Sequence, residues 1–249
     1  MPSPFPAPDA RNPAWIWPLR LSRPMGLRLH GALMSLGERT GRWPCWLLAG
    51  CLIGAAPMSL TQVIGLAPVQ VLTGVLLFPF VAAAALRDWL GRGLLIMIAT
   101  FAAHSAVVIT VFAHDPASLP GEFPAGAAYW DETHAWLTTG VSREYDLNWW
   151  LPAHLQLLLG ACLFAYTSLG SIPFCLGLHE VDLMNAYVSQ LLLRSHNPWT
   201  AMALGWHPWS VCRGLGYLFV LFEVSSLSLG RLLGLPLSTL RRRCERWLG

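Results

Sequence analysis

The chain has 249 residues, of which 55% are hydrophobic and 12% are charged, and its formal net charge is +3. In soluble proteins about 25% of the residues are charged, so this composition argues against an ordinary soluble domain. The net charge is too small, and too divided between the two ends of the chain, to indicate nucleic-acid binding. We therefore expect a lipid bilayer, and no nucleic acid, as a partner of this chain.

The first 42 residues are predicted to be a cytoplasmic leader followed by an amphipathic helix. Seven prolines between Met1 and Pro24 leave no continuous apolar stretch of the kind that a secretory signal needs. From Met25 to Arg42, apolar residues recur at helical spacing opposite a face of arginine and serine residues. Such a helix lies at the level of the lipid headgroups or, alternatively, packs on the rest of the protein.

No Asp, Glu, Lys, Arg or His occurs in the 44 residues from Trp43 to Leu86. One membrane crossing needs about 20 apolar residues, so this stretch has room for two membrane-spanning helices. Two prolines and a glycine interrupt it between residues 57 and 68, which favours a hairpin of helices at 43–62 and 66–86. Because neither helix carries an ionisable group, we expect both to form a lipid-facing wall that takes no part in the chemistry.

Four further apolar segments follow, which makes six predicted spans in an all-α, polytopic membrane bundle over residues 43–234. Between the third and fourth spans, residues 115–146 carry six acidic residues against a single arginine, and we expect them to form a polar loop outside the lipid. Residues 235–249 are predicted to be a basic tail. The four spans are predicted at 93–113, 151–170, 174–196 and 208–233.

The arginines indicate how this bundle is oriented. They concentrate in residues 1–42, in the connection that holds Arg87 and Arg92, and in the tail. Six spans place all three of these segments on one side, which the positive-inside rule makes cytoplasmic, so both termini are expected inside and the 115–146 loop outside. Alternatively, segment 174–196 re-enters the membrane because it carries charged residues. Five spans would then leave the basic tail outside, against the charge rule.

An ionisable side chain inside a membrane-spanning helix costs at least ~2.5 kcal/mol on insertion scales, so such residues are functional candidates. In the fifth span Asp182, Asn185 and Ser189 recur at i, i+3 and i+7 and form a polar stripe. His179 and Glu180 lie beside it in the sequence. A stripe of this kind must face protein or water. Alternatively, the helix begins only after Glu180, and these groups are solvated at the cytoplasmic edge.

Two other ionisable residues are predicted at a similar depth. Glu223 in the sixth span and Asp182 in the fifth each lie about 12 Å from the cytoplasmic ends of their helices, which would let the two carboxylates share a proton or hold a cation. His104, near the middle of the third span, joins this site if it faces either carboxylate. Alternatively, Glu223 is protonated and bonded to neighbouring serines, and His104 is a neutral, hydrogen-bonded residue.

A second group of candidates is predicted at the outer side of the bundle, where histidines and carboxylates mix as they do in zinc, copper and other divalent metal sites. Two of them, His114 and His154, also suit the axial positions of a b-type haem (haem b). Their spacing matches no metal-binding motif, so a solvated acidic loop is the simpler alternative. The candidates are His114, Asp131, His134 and His154.

The sequence contains no P-loop, dinucleotide-binding, HExxH, GxSxG or CxxC motif, so we expect no catalytic domain. The leading hypothesis is a small permease-type transport protein, or the membrane subunit of a larger complex, with a proton or ion site in the later spans. The alternative is a membrane redox or metal-binding protein that uses the outer histidines and carboxylates. A small-residue face on the sixth span is predicted to dock protein subunits, and its members are Gly216, Ser226, Gly230 and Gly234.

Overall fold

A computed structural model describes residues 23–39, 42–64, 69–117, 123–141, 146–168, 170–206 and 208–233. These residues form nine helices and contain no β-strand, which confirms the predicted all-α class. The proline-rich leader and the predicted basic tail lie outside the described residues. In chain order the helices are α1 (Arg23–Arg39), α2 (Trp43–Ile64), α3 (Val69–Leu86), α4 (Leu90–His114), α5 (Pro124–Thr139), α6 (Leu147–Ser168), α7 (Ser171–Arg194), α8 (Pro198–Gly205) and α9 (Pro208–Leu232).

Five of these helices, α2, α3, α4, α6 and α9, are long and apolar enough to cross a membrane. They correspond to five of the six predicted spans and support a membrane location. The remaining predicted span is α7, which has 24 residues but is less apolar because it carries Glu180, Asp182 and Asn185. Helix α7 is therefore as long as the other five helices and differs from them in its polar residues.

The polar helix α7 lies at the centre of the fold. It packs against α3, α4, α5, α6 and α8. Gln70 of α3 contacts Asp182, and Gly74 of α3 lies against Cys175, so α3 and α7 run antiparallel. Most of the polar residues in the second half of α7 are thereby turned towards protein, as the sequence predicts for its polar stripe.

The six long helices alternate in direction along the chain, as they do in an up-and-down bundle. Helices α2, α4 and α7 point one way, and α3, α6 and α9 point the other way. The end of the bundle that carries α1 is called the α1 end below, and the opposite end, which carries α5, is called the α5 end. The pairs of residues that establish the parallel neighbours are Gly50 with Ile96, Gly54 with His104, Phe101 with Gly177, His104 with Asp182, His154 with Tyr217, and Tyr166 with Ser228.

The segment between α4 and α6 differs from the prediction of a polar loop, because residues 124–139 form the helix α5. Its acidic residues Asp131 and Glu132 are exposed, as expected. Its other face packs on α7, where the Tyr129 hydroxyl donates to Met184 Sδ at 3.2 Å. The sequence did not predict this helix because its acidic residues indicated a polar loop.

The predicted hairpin of helices at 43–62 and 66–86 corresponds to α2 and α3. Pro57 lies inside α2, and prolines are tolerated in membrane helices because neighbouring groups satisfy the freed backbone. Between the last two predicted spans, residues 198–205 form the short helix α8. Asn197 caps this helix, since its Oδ1 accepts from the backbone N–H of Thr200 at 3.2 Å.

Helix α1 packs on the end of α3, which is one of the two alternatives that the sequence leaves open. Leu33 is buried against the bundle. The Arg87 guanidinium, at the end of α3, donates to the Met34 carbonyl at 2.7 Å and to Glu38 Oε1 at 2.9 Å. Arg92 stacks over the Trp89 ring at 3.8 Å. The arginines of this connection therefore hold α1 and order the α1 end of the bundle.

Candidate functional site

The most polar point inside the bundle is the carboxylate of Asp182, which lies near the middle of α7 and is 3% exposed. Its Oδ1 accepts from His104 Nε2 at 2.8 Å and from Asn185 Nδ2 at 2.9 Å. Its Oδ2 accepts from Gln70 Nε2 at 2.7 Å. These four residues, called the Asp182 cluster below, join the helices α3, α4 and α7.

The packing of small residues places His104 at this point. The α2 residue Gly54 faces α4 so closely that a Cβ atom there would lie 2.9 Å from the backbone nitrogen of His104, and closer still to the carbonyl oxygen of Thr100. Helix α2 therefore presses on the side of α4 that carries His104. On α7, Gly177 allows the Phe101 ring to pack one turn below the cluster. The two contacts fix the register at which His104 meets Asp182.

The donors around Asp182 indicate which form of the carboxyl this site holds. A buried charge is costly unless it is paired and hydrogen-bonded. Here Gln70, His104 and Asn185 all direct N–H groups at the two oxygens, and a carboxylate can only accept. The arrangement fits an ionised Asp182, with the His104 Nε2–H donating to it.

Two atoms of the cluster leave a place for one further proton. His104 Nδ1 and Asn185 Oδ1 are buried and make no hydrogen bond within the part of the chain that the structure describes. The same holds for the Thr100 hydroxyl, one turn before His104. Since buried polar atoms are nearly always paired, such exceptions call for a functional explanation. A proton on Nδ1 would convert His104 into a cation paired with the Asp182 carboxylate.

The other residues predicted for this site lie elsewhere. Glu223 is half-buried on α9 and is not among the residues given above as bonding the Asp182 carboxylate. Ser189 is buried and donates to the carbonyl of Ala186 on its own helix. The ring of His179 packs edge-on against Phe123, with ring centroids 5.3 Å apart.

The outer histidines and carboxylates are not brought together. His114 is exposed at the end of α4, while Asp131 and His134 are exposed on α5. Among the described residues, no group of three or more His, Cys, Asp and Glu side chains is arranged to hold a metal ion. His154 contacts Trp150 and residues of α9 instead.

A cavity of about 720 Å³ opens at the α5 end, between α5, α6 and α9. Each helix contributes one side of it, and six of the residues that line it are aromatic. The aromatic residues are Tyr129, Trp136, Trp149, Trp150, Trp209 and Tyr217. The polar residues are Glu132, Thr133, His154, Ser210 and Arg213, and the aliphatic ones are Leu151, Leu155 and Leu158.

Three polar side chains of this cavity are connected by hydrogen bonds. Arg213 Nη1 lies 2.9 Å from His154 Nε2, and His154 Nδ1 lies 3.2 Å from the Tyr217 hydroxyl. A guanidinium can only donate, so Nε2 must accept and the imidazole proton must be on Nδ1. His154 is thereby fixed as a neutral imidazole that orients Arg213 in the cavity. On the same side, the Glu180 carboxylate interacts electrostatically with Tyr217.

The predicted small-residue face on α9 does not form one exposed surface. Ser226 and Gly230 are buried inside the bundle, whereas Gly216 is exposed, with no atom within 4 Å of the position of a Cβ. Gly234 lies outside the described residues. The buried members let α9 approach its neighbours within the chain, so they are not accessible to a second subunit.

No protein family, curated protein or solved structure matches this chain. Sequence analysis identified three members of the Asp182 cluster but missed Gln70. The cavity residues Arg213 and Tyr217 were also missed. For Gln70 a signal was present, since it is a polar residue in an otherwise apolar helix.

Proposed function

We propose that this protein is a small permease-type membrane transport protein in which the Asp182 cluster binds and releases a proton. The observation that carries the proposal is the contact between the imidazole of His104 and the carboxylate of Asp182, both buried at mid-helix. Ionisable residues at this depth are retained for proton or ion pathways because they are costly to bury. Histidine also changes its charge near neutral pH, as a proton carrier must.

The surroundings of the carboxylate favour a proton over a metal cation. A cation needs oxygen ligands that point at it. Both oxygens of Asp182 already face N–H donors, which carry partial positive charge. Among the described residues, two further acceptors of the cluster, His104 Nδ1 and Asn185 Oδ1, are buried without a hydrogen-bond partner. The ring nitrogen can take up a proton, whereas a single amide oxygen is too few ligands for a metal cation.

The proposal includes six membrane spans, namely the five helices that are long and apolar enough and, in addition, α7, which is the fifth span along the chain. At ~1.5 Å per residue, the 24 residues of α7 extend over about 36 Å, which exceeds the ~30 Å of a bilayer core. Its neighbours bury Asp182, Asn185 and Ser189, while Glu180 is exposed on the side of the cavity residue Tyr217. A polar helix is acceptable in a membrane when it faces protein. With six spans, the α1 end and both termini are cytoplasmic, and α5 is extracytoplasmic.

Reporter fusions distinguish six spans from five. A reporter enzyme that is active only outside the cytoplasm is fused after Asp115, after Ser195 and at the carboxyl terminus. We expect activity from the first two fusions and none from the third, because α7 and α9 each cross the membrane once. An inactive fusion after Ser195 together with an active one at the carboxyl terminus would show that α7 does not cross.

The transport function is tested by proton movement through the purified protein. Vesicles that contain the protein and a pH-sensitive dye receive an imposed pH gradient, with potassium and valinomycin compensating the charge. We expect the wild type to dissipate the gradient faster than protein-free vesicles, and His104→Gln to return the rate to that of protein-free vesicles. His134→Gln, the same change at an exposed position on α5, serves as the matched control and is expected to keep the wild-type rate.

A second candidate, the membrane subunit of a larger complex, is favoured by the exposure of α6. Only 6% of the residues in the apolar window of this helix are fully buried within the chain, so much of its surface is open to lipid or another protein. The vesicle experiment separates the two candidates. Proton movement by the purified chain alone supports the transport protein, whereas movement only in the presence of a copurifying partner supports the subunit.

A further inference from the structure

We propose that the cavity at the α5 end binds a membrane lipid with a zwitterionic phosphodiester headgroup. In this arrangement Arg213 holds the phosphate, Glu132 and the indole rings face the ammonium group, and the acyl chain lies along the leucines of α6. This site goes beyond the transport function and does not depend on it. The cavity and the Asp182 cluster share no residue.

The size and construction of the cavity are those of a ligand site. A volume of about 720 Å³ falls within the ~300–1,000 Å³ typical of small-molecule sites. Such sites combine apolar and aromatic walls with a few placed polar groups. Here α5 contributes Glu132, α6 contributes His154 and α9 contributes Arg213, so the polar groups converge from three helices.

Arg213 is positioned to recognise an oxyanion. Its guanidinium has five N–H donors in a planar fork, and the bond to His154 uses one of them. A fork of this geometry binds phosphate through two parallel hydrogen bonds. Ser210 and Tyr217 lie three and four residues from Arg213 on α9, so their hydroxyls line the same side of the cavity. The neutral His154 adds no positive charge, which suits a headgroup that carries a single negative charge.

The facing wall is suited to a cation. Glu132 lies on α5 between aromatic residues that line the same cavity, among them Trp136. Indole faces attract ammonium groups, and a carboxylate adds a direct charge interaction. A cavity that holds one arginine and one glutamate therefore matches a headgroup with one negative and one positive charge. A doubly negative headgroup would meet the Glu132 carboxylate unfavourably.

The leucines continue the cavity towards the bilayer. Leu151, Leu155 and Leu158 follow one another at i, i+4 and i+7 along one face of α6 and line the cavity. Leu151 and Leu155 are also exposed, at 42% and 47%, so this face meets both the cavity and the surrounding lipid. Trp149 and Trp209, exposed at 45% and 49%, lie in the first turns of α6 and α9, and tryptophans are enriched at the ends of membrane spans. The site for the headgroup and the site for the acyl chain would thus be continuous.

Native mass spectrometry of the full-length protein in maltoside micelles tests this proposal. The probes are dioctanoylphosphatidylcholine, dioctanoylphosphatidylglycerol and glycerophosphocholine, which has the headgroup without chains. We expect the phosphatidylcholine probe to bind most tightly and glycerophosphocholine to bind more than about tenfold more weakly, because it lacks the buried chains. Equal binding of glycerophosphocholine, or tighter binding of phosphatidylglycerol, would overturn the proposal.

Substitutions of cavity residues test whether the lipid binds in the cavity. Arg213→Gln is expected to lower the affinity for the phosphatidylcholine probe by about tenfold or more. Arg231→Gln, the same change at the α1 end of α9, is the control and should have no effect. Glu132→Gln is expected to lower the affinity for the phosphatidylcholine probe and to leave the affinity for the phosphatidylglycerol probe unchanged. Equal affinities of Arg213→Gln and Arg231→Gln would overturn the assignment.

A second pair of variants keeps the test independent of Arg213, should that variant fold poorly. Leu155→Gln places an amide in the chain site, whereas Leu159→Gln makes the same change one turn further, at a leucine that is 68% exposed and does not line the cavity. We expect only Leu155→Gln to weaken phosphatidylcholine binding. Indistinguishable affinities of the two variants would exclude the α6 leucines as the chain site.

Discussion

Replacing Asp182 with Ala is expected to lower the free energy of unfolding by roughly 3–5 kcal/mol, because several buried hydrogen-bond donors would be left unsatisfied at roughly 1–3 kcal/mol each. Three N–H groups, on Gln70, His104 and Asn185, would lose their acceptor inside the bundle. Thermal unfolding of the purified protein in micelles measures the effect. A change as small as that of a surface substitution would contradict the view that this carboxylate is an ionised, structural centre of the bundle.

Asp182→Asn removes the charge of this side chain and keeps its shape. The new amide oxygen still accepts from His104 and Asn185, and Gln70 can turn its own amide to accept from the new NH₂ group. The expected cost is smaller, roughly 1–3 kcal/mol. Because Asn carries no charge, His104 would no longer be stabilised as a cation, so proton movement in vesicles should fall to the protein-free rate.

Asp88→Asn is the matched control for Asp182→Asn. Asp88 is exposed in the turn between α3 and α4 and has a φ of 59°, a conformation that asparagine adopts readily. This variant should keep both the unfolding temperature and the proton movement of the wild type. If Asp182→Asn folds and still moves protons at the wild-type rate, the cluster is not the proton site.

Gly54→Ala is expected to destabilise the bundle and to disturb the Asp182 cluster at the same time. The added Cβ would approach the Thr100 carbonyl oxygen and the His104 nitrogen at distances under 3.0 Å, and backbone atoms of a packed helix cannot move aside singly. Overpacking of this kind costs roughly 1–3 kcal/mol. Helix α4 must shift away from α2, so His104 moves relative to Asp182 and proton movement should fall as well.

Gly160→Ala provides the comparison. Gly160 lies in α6, and no atom lies within 4 Å of the position of a Cβ there. Alanine is the better helix former by roughly 0.5–1 kcal/mol, so this variant should be neutral or slightly more stable. Thermal unfolding and hydrogen exchange around His104 compare the two glycines. A Gly54→Ala protein as stable and active as Gly160→Ala would contradict the close contact between α2 and α4.

Most of the helices could be predicted because membrane helices leave a strong signal. The charge-free stretch from Trp43 to Leu86 and the apolar runs after it define five helices to within about one turn of those in the structure. Helix α5 was missed because the acidic residues between positions 115 and 146 indicated a polar loop. This error comes from a local pattern that packing overrides.

The candidate site was predictable only in part. The sequence indicates how deep in the membrane a side chain lies more readily than which neighbouring helix it faces. Asp182, Asn185 and His104 were found from their cost in a membrane. Glu223 was assigned to the same site from its depth alone, yet it is not among the partners of Asp182 in the described residues. The wall helix α3 was expected to take no part in the chemistry, but its Gln70 bonds the carboxylate. Ionisable groups were the search criterion, and Gln70 is neutral.

The protonation state of His104 tests the central claim most directly. Nitrogen NMR of protein labelled with ¹⁵N at the histidine rings, in micelles and across pH, reports both ring nitrogens, and the loss of one signal set in His104→Gln assigns them among the eight histidines. We predict that Nε2 keeps its proton throughout and that Nδ1 gains one on acidification. The pH at which Nδ1 gains its proton should differ in Asp182→Asn. A His104 ring that does not titrate while the protein stays folded would contradict the proposal of a proton site.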